Sequence, residues 1–268
     1  MNKAAKIISI FSLSFQAYAG FSMPQNIYFG LFGGLGSSNA PKLIQNGSAY
    51  YSANNRGGTF YVEAMGSAST PSAGGLGGGQ IGKEIPGQLQ LSKDSHLTLA
   101  TEFEGYYLYS NLVGHNIDND TSRLDEHDFK ITLPINNGLF FGNVIFKFKN
   151  DAFELFQPYV GLGLGGSYMK FSGASSEQTS PPEVGINHFN SNPNAYAGAF
   201  AVQPKVGFFH ALDKHWSISA EYRFLYIADS NMTFGSTVYP SHIGTSNWNV
   251  FLGSQYINLG SIGFQYRV

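Results

Sequence analysis

The segment SIGFQYRV, residues 261–268, alternates strictly. Ile262, Phe264, Tyr266 and Val268 are apolar, and Ser261, Gly263, Gln265 and Arg267 between them are small or polar. A period of two puts these sets on opposite faces of a β-strand. The alternation runs to the last residue, where a strand would be an exposed edge unless something pairs with it. The expected partner is the first alternating segment, which begins near Ile27.

The same pattern recurs along the chain. Ile27, Phe29, Leu31 and Leu35 share a face in 26–36. The segment GGLGGGQIGKEI (74–85) is extended, but glycine carries no sidedness and leaves its register open. In 97–110, Leu97, Leu99, Phe103, Tyr107 and Tyr109 oppose Thr98, Glu102 and Glu104. In 138–149, Phe140, Val144, Phe146 and Phe148 oppose Asn143, Lys147 and Lys149. Segments 158–171, 195–212, 216–227 and 257–268 complete the set. Pro204 cannot donate to a ladder, so a bulge or local bend is expected there. Between segments, short connections alternate with long ones at 37–73, 112–127, 172–194 and about 229–247; 37–73 is rich in Ser, Asn, Gly and Pro, and 112–127 is polar. Thr59–Met65 is a candidate for an extra strand, and NVFLGSQY (249–256) for an upward extension of the last one. An even count with alternating connection lengths predicts an all-β fold: an eight-stranded antiparallel up-and-down barrel.

Composition separates the two solvents such a barrel can face. Of 268 residues only 12% are charged, whereas 15% are aromatic, with 23 Phe and 16 Tyr. A soluble barrel turns charge outward, and eight strands leave an interior that side chains fill. The Phe- and Tyr-bearing faces are too large to pack inside, so they are expected outside, against lipid. Glu102, Glu104, Lys147, Lys149, Lys205, Glu221, Arg223 and Arg267 then point inward, where they can pair. Segments of about ten residues match a tilted strand crossing hydrocarbon. Past the N-terminus no apolar run is long enough for a spanning helix. The net charge of −2 gives no footprint for nucleic acid, and the absence of cysteine excludes disulfides and thiol chemistry.

The N-terminal MNKAAKIISIFSLSFQAYA has Lys3 and Lys6, a short apolar stretch from Ile7 to Phe15, and the small-x-small triplet Ala17-Tyr18-Ala19. This is the pattern of a secretory signal peptide, residues 1–19, cut after Ala19. The expected domain organisation is that leader followed by one outer-membrane barrel domain, 20–268.

QPYVGLGLGGSYM, LTLATEFEGYYLY, WSISAEYRFLYI and the terminal GSIGFQYRV resemble strands of small outer-membrane β-barrels of Gram-negative bacteria. The resemblance is to the OmpA-like and OmpX-like superfamily and, within it, to barrel-only surface proteins of Legionella and Coxiella type. It covers 20–268 and implies a bacterial outer-membrane location with long extracellular loops. It further implies that Ile262, Phe264, Tyr266 and Val268 act as the signal read by the barrel-assembly machinery. Val268 departs from the usual terminal Phe. No peptidoglycan-binding domain follows in this sequence, so cell-wall anchoring is not expected. The implied partners are outer-membrane lipid, lipopolysaccharide, the assembly machinery and host surface molecules.

Other motifs invite sharper readings. Gly161–Gly166 satisfies G-x-G-x-x-G, but alternation continues through Tyr168 and Phe171 where a nucleotide site needs a helix. Asp118, Asp120, Asp125, Glu126, His127 and Asp128 form an acidic cluster without EF-hand spacing, read as a solvated loop. His115, His127, His188 and His242 fall in expected loops without G-x-S-x-G or H-E-x-x-H. No catalytic, cofactor or metal residue is assigned. The expected function is that of a structural or adhesive surface protein acting through its loops. The alternatives are a small pore lined by the inward charges and a lipid-modifying enzyme at the barrel rim.

Overall fold

The structure, a computed structural model, describes residues 26–52, 57–68, 73–119, 127–150, 152 and 155–268. The expected signal peptide lies outside these residues. So do Asp120, Asp125 and Glu126 of the acidic cluster, and the side chain of Asp118.

Among the described residues there are fourteen strands rather than the expected eight. They are β1 (Ile27–Ser38), β2 (Lys42–Tyr51), β3 (Gly58–Ala68), β4 (Ala73–Glu84), β5 (Leu89–Ser92), β6 (Ser95–Asn119) and β7 (Asp128–Asn150). The rest are β8 (Phe156–Phe171), β9 (Ser175–Ser180), β10 (Ala195–Ala211), β11 (Trp216–Ile227), β12 (Ser230–Phe234), β13 (Trp248–Leu252) and β14 (Gln255–Arg267). The fold is all-β with antiparallel pairing, and no described helix is long and apolar enough to cross a membrane.

Eight of the strands coincide with the alternating segments. β1 pairs with β4, β4 with β6, β6 with β7, β7 with β8, β8 with β10, β10 with β11, and β11 with β14. β14 pairs in turn with β1, Tyr28 opposite Arg267 and Ser38 opposite Ile257. Even the Val268 amide is used, donating to the Ile27 carbonyl at 3.0 Å.

The six additional strands lie in the connections between these eight. Thr59–Met65 does belong to a strand, β3, but it pairs with β2, whose sequence KLIQNGSAYY carries only small or polar residues at most inward positions. Residues 112–119 are not loop: β6 continues through them to Asn119. NVFLGSQY does not lengthen the last strand, because Gly253 and Ser254 separate β13 from β14. At Pro204 the pairing of β10 with β8 continues without a register shift, and the expected bulge is absent. Only the ladder to β11 skips Gln203 and Pro204, as a missing donor requires.

Burial changes character along the strands. Near the long connections, β7 turns Phe129, Ile131, Leu133 and Ile135 inward, all buried, and Lys130, Thr132 and Asn136 outward. Farther along the same strand, Asn137, Asn143 and Lys147 are buried while Phe140, Val144, Phe146 and Phe148 are exposed. The upper part, with β2, β3, β12 and β13, is a cap packed around Leu43, Val62, Leu112, Phe189, Phe234, Trp248 and Val250. Its outward side carries Asn46, Ser48, Asn231, Thr233 and Asn249. This is the polarity of a soluble protein. Below it, the outward face is apolar, and the interior holds charged and amide side chains beside Leu139, Phe141, Ile145 and Phe209.

Inward glycines on β8 create room for that interior. A Cβ on Gly161 would come within 3.0 Å of the Lys205 side chain, and one on Gly163 would strike Asn143 and the Gln203 side chain. The Gly161–Gly166 run therefore continues a strand and serves packing. Gly163→Val is expected to destabilise the protein by about 1–3 kcal/mol through overpacking. The outward Gly142→Ala, which meets nothing within 4 Å, is expected to leave the unfolding midpoint nearly unchanged; denaturant titration of the two variants checks both.

Candidate functional site

All eight charged residues singled out from the sequence stand on the inward face of the base, in two groups. The first joins Glu102 and Glu104 of β6, Lys205 of β10, and Glu221 and Arg223 of β11. Lys205 Nζ lies 2.7 Å from Glu102 and 2.8 Å from Glu104, and 3.6 Å from Glu221. Arg223 pairs with Glu104 and with Glu221. β6 and β11 are four pairings apart in either direction around the strand order, so the Arg223–Glu104 contact spans the interior.

The carboxylates use their remaining acceptor capacity on neutral donors. The Tyr28 hydroxyl donates to Glu102 at 3.1 Å, as does the Asn143 amide. Gln203 donates to Glu104 at 3.0 Å and receives the Tyr106 hydroxyl at 3.0 Å. Tyr159 donates to Glu221. Arg223 also stacks over Phe32, 4.1 Å from its ring centroid. Buried charge is tolerable when paired and hydrogen-bonded in this way.

The second group lies toward the short turns. Glu84 at the end of β4 gathers three cations: Lys147 at 2.9 Å, Lys149 at 3.2 Å and Arg267 at 2.7 Å. Lys147 sits over the Tyr28 ring at 4.3 Å, which links the groups. Glu84 was missed by the sequence reading because its segment is mostly glycine. Its position two residues from Gly82 and four from Gln80 marks the inward set only once β1 and β6 fix the register. Ile262, Phe264, Tyr266 and Val268 are all exposed on the outward face of β14 or at its end.

The cap holds a different constellation. Glu183, His188 and His242, from two separate connections, line a cavity of about 70 Å³ with His127, Phe129 and Trp248. His242 Nε2 lies 3.1 Å from Glu183 Oε2, and His188 Nε2 lies 3.6 Å from the same oxygen. Burial holds His188 below the ordinary imidazole pKa. The nearby His242 acts in the same direction, against the hydrogen bond to the Ser176 carbonyl. The sequence puts both histidines in expected loops, but with 53 residues between them it gives no reason to pair them.

No family description matches the chain, and no curated protein matches it in sequence. Among solved structures it is similar to the outer membrane protein OprG from Pseudomonas aeruginosa (14% identity, TM-score 0.43, covering 91% of this chain and 98% of that one). It is also similar to the outer membrane protease OmpT from Escherichia coli (10%, 0.39, 92% and 98%). A third is Ail, the attachment invasion locus protein of Yersinia pestis (10%, 0.34, 91% and 100%). Likeness at this level carries no argument about activity.

Arg223→Met leaves Glu104 and Glu221 short of a buried cation and is expected to cost about 3–5 kcal/mol. Adding Glu104→Gln should recover part of that loss, so the two single costs should sum to more than the double variant's; denaturant unfolding of all three variants measures the coupling.

Proposed function

We propose that the chain is a bacterial outer-membrane protein. In this reading β1, β4, β6, β7, β8, β10, β11 and β14 form a closed eight-stranded transmembrane barrel, and the cap stands outside the cell. The leader 1–19 is removed, 20–268 form one domain, and Ile262, Phe264, Tyr266 and Val268 serve as the assembly signal.

One observation carries the reading: outward polarity reverses along continuous strands. On β8, Phe156, Val160, Leu162, Leu164 and Tyr168 are all exposed. From Phe156 to Tyr168 is about 40 Å of strand at ~3.3 Å per residue, or roughly 28 Å of height at a tilt near 45°. That matches a hydrocarbon layer. Aromatic pairs flank the band, with Tyr168 and Tyr196 stacked at one edge and Phe156 and Phe208 at the other, where interfacial rings are favoured. The unpaired backbone that hydrocarbon forbids is avoided because each of these eight strands is paired on both sides.

Within that membrane, the function falls to the cap. Paired charges spanning the interior oppose conduction, and neither charge group presents a nucleophile with a general base. The cap offers exposed aromatics on adjacent strands, Tyr50 of β2 and Tyr61 of β3, the residue type that anchors protein contacts. The role proposed is structural and adhesive. Its partners are lipid and lipopolysaccharide at the band, the assembly machinery during insertion, and host surface molecules at the cap.

Leu162→Arg, near mid-band, is expected to cost about 2–4 kcal/mol in lipid vesicles, while Asn231→Arg on the cap stays within about 0.5 kcal/mol. Equal, small effects would overturn the membrane reading. Cells displaying the protein should bind host-cell surfaces better than cells lacking it, and Tyr50→Ser with Tyr61→Ser should reduce that binding. Equal binding by all three would remove the adhesive role. Planar bilayers containing the protein should show no steady conductance; a steady current altered by Glu102→Gln would instead establish a pore.

A further inference from the structure

Glu183 and His188 belong to the connection between β9 and β10, and His242 to the connection between β12 and β13. Their ligand-capable atoms lie within 4.8 Å of one another. The hydrogen bonds around them fix which atoms those are. His188 Nδ1 is 3.0 Å from the Ser176 carbonyl, and His242 Nδ1 is 2.6 Å from the Ile243 carbonyl. A carbonyl oxygen only accepts, so each Nδ1 carries the proton. In the neutral rings, Nε2 is then a bare lone pair, and both Nε2 atoms converge on a carboxylate oxygen. Three electron-rich atoms facing one another need something positive between them.

We propose that Glu183, His188 and His242 form a binding site for a divalent transition metal of the zinc class, which ties the two connections of the cap together. Two ligands at ~2.0–2.1 Å from a tetrahedral zinc stand about 3.3–3.4 Å apart. The two Glu183–histidine separations, 3.1 and 3.6 Å, bracket that value. The donor set of two imidazoles and one carboxylate suits zinc, copper or nickel over calcium and magnesium, which prefer oxygen shells. Nδ1–H donation to a backbone carbonyl is the outer-shell arrangement that orients a metal-binding histidine.

The surroundings support a built site. His188 is 3% exposed, and its ring packs edge-on against Phe129 at 5.1 Å, Trp248 at 5.9 Å and His242 at 5.3 Å. The Trp248 indole donates to the Thr237 hydroxyl, which donates to the His188 carbonyl at 3.0 Å. The rigid half of the site is thus fixed by the cap core, while Glu183 and His242 approach from its more open side. Three protein ligands leave a fourth tetrahedral position for water or a neighbouring donor. The competing arrangement is a plain ion pair, in which one histidine is protonated and donates to Glu183.

The test uses full-length folded protein in lipid vesicles, stripped with chelator and titrated with zinc chloride by calorimetry. One equivalent of zinc is expected to bind, and His242→Asn and Glu183→Gln should each weaken it by about tenfold or more. Cobalt should give the visible bands of a tetrahedral site in the wild type and lose them in both variants. Both variants alter the open side of the site, and heat-modifiable gel migration checks that they remain folded. Absence of zinc binding in the wild type overturns the proposal and leaves the ion pair. So does binding that is unchanged in His242→Asn, which would place the metal on other histidines.

Discussion

The meeting of Glu104 with Lys205 and Arg223 inside the base is the contact around which the rest is arranged. In the proposed eight-stranded barrel the interior has room for side chains and little else. Filling it with long polar groups that satisfy one another frees the outward face to be mostly apolar. Glycines on β8 follow from the same demand, since Lys205 and Gln203 occupy the volume their side chains would take. Replacing any one member strands a charge where solvent cannot reach it. The base is therefore cooperative through its polar centre, where an ordinary domain is cooperative through its oil.

The cap inverts this arrangement using the same chain. β6 and β7 cross the boundary without a break, and their inward residues pass from Glu102 and Glu104 to Leu112, and from Lys147 to Phe129. Above the boundary Trp248, Phe234 and Val250 form a conventional core; below it Phe140, Val144 and Phe146 face out, while Phe141, Ile145 and Phe209 pack inside beside the charges. In the proposed membrane setting the two halves solve the same problem, hiding apolar surface from water, against two different surroundings.

Much of the base was legible in the sequence because period-two alternation with strong contrast admits one structure. β11, Trp216–Ile227, was bounded to the residue, and the charged positions fell on a single face. The cap was not legible, for an equally physical reason. β2 places Gln45, Gly47 and Ala49 inward, so its alternation has almost no hydropathy contrast, and β9 is SSEQTS. Residues 112–119 look polar and loop-like, yet they are held by pairing with β3 and β7. Glu84 was hidden by glycine neighbours. The approach of His188 to His242 depends on how two distant connections fold over the core, which no local pattern encodes.

β6 and β7 are 25 and 23 residues long and are paired along nearly their whole length. They run from the lowest turn into the cap with no hinge between. A pull on the cap directed along these strands would load many backbone hydrogen bonds in shear at once, rather than opening them one by one. The molecule is in that sense a post and not a tethered head: tension applied at its tip is delivered directly to the base.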